Sequence, residues 1–191
     1  MASKIKVDTL ETANGSGTIA LSNQLSGMTT ASLPALGSAQ MPSGSVIQVQ
    51  SGILTATYSQ TASAWADIGL SVAITPSATS SKILISLSVA LGMTVTGVNV
   101  RLRLVRGSTM IGSSTDLANS GFSHKEQNQT GNNFTRFLES FTFLDSPSST
   151  SAQTYKVQLY RSNTQGTSYI NRGDTDQTRQ QSHITVQEIK G

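Results

Sequence analysis

Apolar and polar residues alternate with a period of two along most of this chain. The 3.6-residue period of a helix surfaces only as a short match at residues 21–25. The clearest run is Lys82 to Leu91. There Ile83, Ile85, Leu87, Val89 and Leu91 share one face, and Leu84, Ser86, Ser88 and Ala90 share the other. The second face is mostly small, which suits close packing against a sheet or a subunit. Ile68, Leu70, Val72 and Ile74 alternate strictly until Pro76-Ser77 stops them. Asn99–Val105 turns Val100, Leu102 and Leu104 inward and Arg101 and Arg103 outward, and Gly107-Ser108 predicts a hairpin turn into Thr109-Met110-Ile111. Phe134 to Leu144 carries Phe137, Phe141 and Phe143 on one face and Leu138 and Leu144 on the other, so both faces are expected to be partly covered. Ser45–Gln50, Thr154–Tyr160 and His183–Ile189 complete the series. Roughly eight short strands separated by turns predict an all-β, antiparallel β-sandwich. A jelly roll is the leading topology and an immunoglobulin-like Greek key the second, and the pattern does not choose between them.

Two polar intervals interrupt this series, Ser113–Asn133 and Arg161–Ser182, the latter with Tyr169-Ile170 as a short strand. The first 44 residues are different in kind. Lys4-Ile5-Lys6-Val7-Asp8 alternates, Asn14-Gly15-Ser16-Gly17 is a turn of residues that tolerate positive φ, and Thr18-Ile19-Ala20-Leu21 is a second apolar run. A lone hairpin is marginal in water, so this segment needs a partner surface, in its own chain or in other copies. Thr29 to Gly44 holds two of the four prolines and no charge, and reads as an extended linker anchored by Leu33, Leu36 and Met41. The expected division is therefore residues 1–44 as anchoring segment with linker and residues 45–191 as a β-sandwich knob.

Composition narrows the classes. Charged residues make up 12% of the 191 positions, against about 25% in ordinary globular chains, and neutral polar residues take their place. The formal charge of +3 comes from scattered cations, of which only Arg101, Arg103 and Arg106 approach a cluster, so nucleic acid is not an expected partner. The chain contains no cysteine, which removes disulfides and thiolate metal sites. Its first 30 residues lack the basic and apolar regions of a secretory signal, and no apolar run approaches the ~18 residues that span a membrane. Synthesis in a cytosol, no membrane insertion and release by lysis are expected.

The stretch KIKVDTLETANGSGTIALSNQLSGM, and in particular Val7 to Thr29, resembles the N-terminal segment of virion fibre and tail-fibre-like proteins of marine tailed bacteriophages, including those of cyanobacteria. ITPSATSSKILI, Ile74 to Ile85, resembles a phrase that recurs in the β domains of such proteins. The resemblance covers about a third of the chain. It implies a homotrimeric fibre, localised to the virion, with an N-terminal region tied to other virion proteins and a C-terminal knob. Ile5, Val7, Leu10, Ile19, Leu21 and Leu25 are the apolar positions of the anchoring segment. A tail or baseplate-associated fibre for host attachment is the first expectation, and a head-decorating fibre or cement protein the alternative.

Few residues stand in a pattern that carries chemistry. His124 and His183 stand alone, outside any metal-ligand spacing. No serine sits in a nucleophile elbow, and Gly15-Ser16-Gly17 lacks the lysine of a phosphate loop. Asp174 and Asp176, with Asn171 nearby, form the one close acidic pair; it reads as a solvated turn or as oxygen ligands for a hard cation. No cofactor, metal or enzymatic activity is expected, and a glycan-degrading tailspike is the least favoured class. Binding would use loops at the exposed end of the sandwich. Phe122, His124, Tyr169, Arg172 and Asp174 are the candidate contacts for a cell-surface glycan, with ordinary solvated loops or subunit contacts as the alternative.

Overall fold

Alternation in the sequence becomes strands because each inward residue of one sheet meets an inward residue of another. The computed structural model describes residues 37–94, 98–113, 120–126, 134–173 and 179–191. The anchor positions Ile5, Val7, Leu10, Ile19, Leu21 and Leu25, and Asp174 with Asp176, lie outside the described residues. After a 3-10 turn at Ser38–Gln40, the strands are β1 (Val46–Leu54), β2 (Tyr58–Gln60), β3 (Ala66–Ile74), β4 (Lys82–Met93), β5 (Asn99–Arg106), β6 (Thr109–Ile111), β7 (Ser123–Glu126), β8 (Thr135–Asp145), β9 (Gln153–Arg161), β10 (Ser168–Ile170) and β11 (Ser182–Ile189). All pairings between them are antiparallel.

They form two sheets of four rows each. In the first, β11 and β10 lie in line along one edge of β4, and β1 and β2 lie in line beyond them. β8 runs along the other edge of β4, from Ile83↔Asp145 to Met93↔Thr135. In the second sheet the order is β3, β9, β5, and then β7 and β6 in line beside β5. The chain visits the sheets in the order first, second, first, second, second, first, second, first. That is the double Greek key of an eight-row jelly roll, not the strand order of an immunoglobulin domain.

The core lies between the sheets. Ile68, Leu70 and Val72 of β3, Ile83, Ile85, Leu87, Val89 and Leu91 of β4, Val100, Leu102 and Leu104 of β5, Val157 and Leu159 of β9, and Ile184 and Val186 of β11 supply it. Gly52 shows how closely the sheets approach at one corner, since a Cβ there would meet the Ser71 carbonyl oxygen at 2.2 Å. Two short strands escape the alternation pattern. β7 falls inside the first polar interval and is a strand because β5 offers it a free edge from Asn99 to Leu102. β2 likewise continues the β1 row only because β10 is there to pair with it. Leu138 and Leu144 are not covered as expected, being 69% and 47% exposed, because no element packs on the outer side of β8 among the described residues.

Where the β1–β2 row and the β10–β11 row both break, Asn171 closes the gap. Its backbone is left-handed (φ 61°), and its N–H donates to the Ala90 carbonyl at 3.0 Å. Its amide nitrogen donates to the carbonyls of Leu54 (2.7 Å) and Ala56 (3.1 Å), and its side-chain oxygen accepts from the Ser182 hydroxyl at 2.6 Å. The Ala90 N–H in turn donates to that hydroxyl. Asn171 and Ser182 are both fully buried.

Each end of the sandwich carries a buried ion satisfied mainly by neutral groups. At the end formed by the start of β4 and the finish of β11, the Glu188 carboxylate accepts from the Ser77 N–H, the Ser77 and Ser81 hydroxyls and the Gln48 amide, at 2.6–2.7 Å. Burial pushes the Glu188 carboxyl up, but these donors outweigh it and hold the group below the usual glutamate range. We call this the proximal end, because Gly37–Gly44 packs here: Gly44 N–H donates to the Lys190 carbonyl, and the Lys190 ammonium donates to the carbonyls of Ala39 and Met41. At the opposite, distal end the Arg161 guanidinium is 1% exposed and donates to the carbonyls of Gln60, Gly166 and Gln165. Between the sheets near the proximal end, Asp145 of β8 accepts from Arg106 (2.6 Å) and from the Tyr155 hydroxyl (2.7 Å), tying β8 to β5 and β9. Burial and then the Asp145 carboxylate push the Tyr155 phenol well above its ordinary range.

Two measurements follow. Asn171→Gly keeps a backbone that tolerates positive φ and removes only the side-chain bonds, so it should cost about 2–4 kcal/mol in urea unfolding, from two carbonyls and a hydroxyl left unsatisfied. Because the Glu188 pKa is depressed on folding, its stabilisation is present above the unfolded glutamate pKa of about 4.3 and is lost as pH falls through the lower folded value. A Glu188→Gln chain should therefore be less stable at pH 7, and the gap to the parent should close below about pH 4.

Candidate functional site

Two clusters of arginine and aromatic side chains occupy the distal half of the sandwich, one on the outer face of each sheet. The first brings together two of the sequence candidates. Tyr169 of β10 pairs with Gly92 of β4, and Gly92 pairs with Arg136 of β8, so these positions form one line across the sheet. Phe134 lies across the open space over Gly92, where a Cβ would meet its ring at 2.3 Å. The Phe134 and Tyr169 rings are 5.8 Å apart, the Arg172 guanidinium sits 4.3 Å above the Tyr169 ring, and that of Arg136 lies 5.7 Å from Phe134. Asn171 positions this cluster, since Arg172 follows it directly and β10 precedes it.

The second cluster centres on the chain's single tryptophan. Trp65 precedes β3 and shares its outward parity with Asp67. The Trp65 and Tyr160 rings are 5.3 Å apart and tilted by 38°. The Arg103 guanidinium stacks 4.1 Å over Trp65, and that of Arg101 lies 5.9 Å from Tyr160. A hydrogen-bonded chain crosses three rows beside them: Arg103 donates to Gln158 (2.8 Å), Gln158 donates to Asp67 (2.5 Å), and the Lys156 ammonium donates to Asp67 (2.8 Å). Burial pushes the Asp67 carboxyl up, and the bonds from Lys156 and Gln158 more than offset it, leaving the group below the usual aspartate range. Burial lowers the Arg103 pKa, with the Asp67 charge opposing it.

The remaining candidates go elsewhere. Phe122 stacks on Phe141 (4.5 Å, 11°), and with Phe143 beyond it closes the edge between β7 and β8 against the core. His124 stands on the outer face of the second sheet, opposite Arg101, with its Nε2 2.9 Å from the Asn99 side-chain oxygen. Tyr169 and Arg172 are thus together, His124 belongs beside the tryptophan cluster, and Phe122 is a packing residue. Sequence reasoning passed over Trp65, Tyr160, Phe134 and Arg136. The signal available for Trp65 was its position, a lone large aromatic two residues before an outward Asp67 at a strand start. Among the described residues no group of three or more His, Asp or Glu side chains could hold a metal ion, and no helix is long and apolar enough to cross a membrane.

Comparison with known proteins adds distant structural likeness only. No family model matches the chain, and no curated protein matches it. Among solved structures, a chain from the structure of the infectious bursal disease virus Gt strain aligns with 83% of this chain at 14% identity and a TM-score of 0.44. The alignment spans 43% of that chain.

Gly92→Ala tests how the first cluster is built. It should leave stability within about 1 kcal/mol, because the flexible Phe134 ring can swing away, and should abolish the ring-current shift of Phe134 on the Tyr169 protons in NMR spectra.

Proposed function

We propose that this chain is a non-enzymatic virion structural protein, a jelly-roll knob on an N-terminal anchor that assembles as a homotrimer and attaches the particle to a host surface. The observation that carries this reading is the polarity of the knob. Gly37–Gly44 packs at the proximal end on Lys190, and both arginine–aromatic clusters lie in the distal half. A knob tethered at one end presents the other to whatever the particle meets. The resemblance of Val7–Thr29 and Ile74–Ile85 to phage fibre proteins supports the virion setting, and jelly rolls recur in viral capsid proteins and lectins.

Self-association is supported by the outer face of the first sheet. The five exposed large hydrophobics among the described residues, Val46, Val49, Ile53, Leu138 and Leu144, all lie there. Between them run Ser51, Thr185, Ser86, Thr142, Ser88 and Ser140, and the face holds no carboxylate among the described residues. Four rows at ~4.8 Å and about nine residues of ~3.3 Å give a footprint of roughly 600 Å². That approaches the ~800 Å² per partner of a specific interface. Exposed aliphatic side chains gathered on one face among uncharged hydroxyls fit an interaction surface.

Native mass spectrometry of the full chain should find three times the 20.1 kDa chain mass. Leu138→Glu with Leu144→Glu should yield a folded monomer. A parent chain that is monomeric at micromolar concentration removes the trimer. A chain beginning at Gly37 should remain folded and no longer join particles, and imaging of labelled particles distinguishes a tail position from a decoration of the head.

A further inference from the structure

We propose that the distal strip on the outer face of the second sheet is a binding site for an acidic glycan, a polysaccharide whose sugars carry carboxylates. The proposal names the ligand class for the attachment role above and rests on that reading for its biological setting.

The strip crosses all four rows of the sheet. Trp65 stands before β3, Tyr160 in β9, Arg101 in β5 and His124 in β7, and the register sets Tyr160 opposite Arg101 and Arg101 opposite His124. Rows ~4.8 Å apart make the strip about 14 Å long, enough for about two or three pyranose rings. Tyr160 offers the flat apolar surface on which the C–H face of a pyranose packs, and its hydroxyl lies at the edge of that surface. His124 and Asn99 supply hydrogen-bonding groups for sugar hydroxyls at the far end.

Arg101 gives the strip its preference for an acid. The other cations of this face are engaged: Arg103 donates to Gln158 and stacks on Trp65, and Lys156 is paired with Asp67. Glu126, opposite Asn99, completes the charged groups of the face. Arg101 is half-buried over Tyr160, and among the described residues its guanidinium has neither a carboxylate nor a hydrogen-bond acceptor. A planar fork of donors beside an aromatic ring and without an acceptor matches a carboxylate, which takes two parallel N–H bonds from it. A neutral sugar leaves that fork unpaired. A phosphate polymer is a poorer match, because it is bound by several unpaired cations along one groove and this face has one.

Trp65 is the only tryptophan, so its emission reports this strip alone. The full chain is titrated at fixed ionic strength with trigalacturonic acid, with maltotriose of the same length and no charge, and with tripolyphosphate. Calorimetry on the same solutions covers a ligand that leaves the emission unchanged. The expected result is saturable binding of trigalacturonic acid, weakened at least about tenfold by Arg101→Gln and less by Arg101→Lys, which keeps the charge and loses the fork. Maltotriose and tripolyphosphate should bind more weakly by a similar factor. Absence of binding by both methods overturns the site, and so does wild-type affinity in Arg101→Gln. Equal binding of maltotriose overturns carboxylate recognition, and equal binding of tripolyphosphate reduces the strip to a general anion site. Native mass in the same samples separates the two claims. An intact trimer that binds no uronate sinks the site alone, whereas a monomer that binds it sinks the trimeric assembly and leaves the site.

Discussion

The sandwich depends on a backbone problem at one level of its first sheet. Two neighbouring rows break there, between β1 and β2 and between β10 and β11, and each break leaves peptide groups without ladder partners. Buried peptide groups need partners at a cost comparable to a lost hydrogen bond. Asn171 supplies them from one residue: its amide nitrogen serves the Leu54 and Ala56 carbonyls, its oxygen takes the Ser182 hydroxyl, and its own N–H reaches Ala90. The left-handed backbone that allows this is one that asparagine tolerates better than most residues. With the breaks closed, β10 lies against the distal half of β4, and Tyr169 comes to rest beside the Phe134 ring over Gly92. Folding and surface chemistry are thus coupled through an amide.

The same reliance on neutral dipoles runs through both ends of the sandwich. A chain with so few charges has few counter-ions to place, and its buried ions are met by hydroxyls, amides and carbonyls. Glu188 holds the β3–β4 connection to β1 and β11 through serines and a glutamine, and Arg161 holds the loops around Gln60 and Gly166 through carbonyls. An ion surrounded this way tolerates little, because removing one donor leaves a charge in a poorly solvating site. Asp145 is the exception: it has both a cation, Arg106, and a phenol, Tyr155, and it lies where one sheet must be fastened to the other.

How much of this was legible in the sequence depends on how local each signal is. β4 and β5 could be read residue by residue, because strict alternation over eight or more positions leaves one choice of face. The sandwich and its jelly-roll candidate followed from the number and spacing of such runs. β2 and β7 could not be found, since three or four polar residues become a strand only when an edge elsewhere offers itself. Of the candidate contacts, Tyr169 and Arg172 adjoin in sequence and in space. Phe122 looked like a loop aromatic, but the stack it joins is made by Phe141 and Phe143, twenty residues away in the chain. The Trp65–Tyr160–Arg101 strip draws on three segments that no window contains, so its members looked like ordinary outward residues.

The two outer faces differ in how their polar groups are satisfied, and the proposed roles rest on that difference. Across the middle of the first sheet, hydroxyl and aliphatic side chains alternate without an acid, and its cations Lys82 and Arg136 stand toward the two ends, so a second neutral surface can cover the middle without burying a carboxylate. Across the second, Asp67, Lys156, Gln158 and Arg103 are already bonded to one another, and their fixed geometry costs nothing further when a ligand arrives. Covering that face with another subunit would bury Arg101 without an acceptor, at the price of its desolvation. A small polar ligand that brings its own carboxylate avoids this cost. The proposed self-association is therefore better placed on the first sheet than on the second, and in the proposed glycan site Arg101 is the group a ligand of the second sheet would meet.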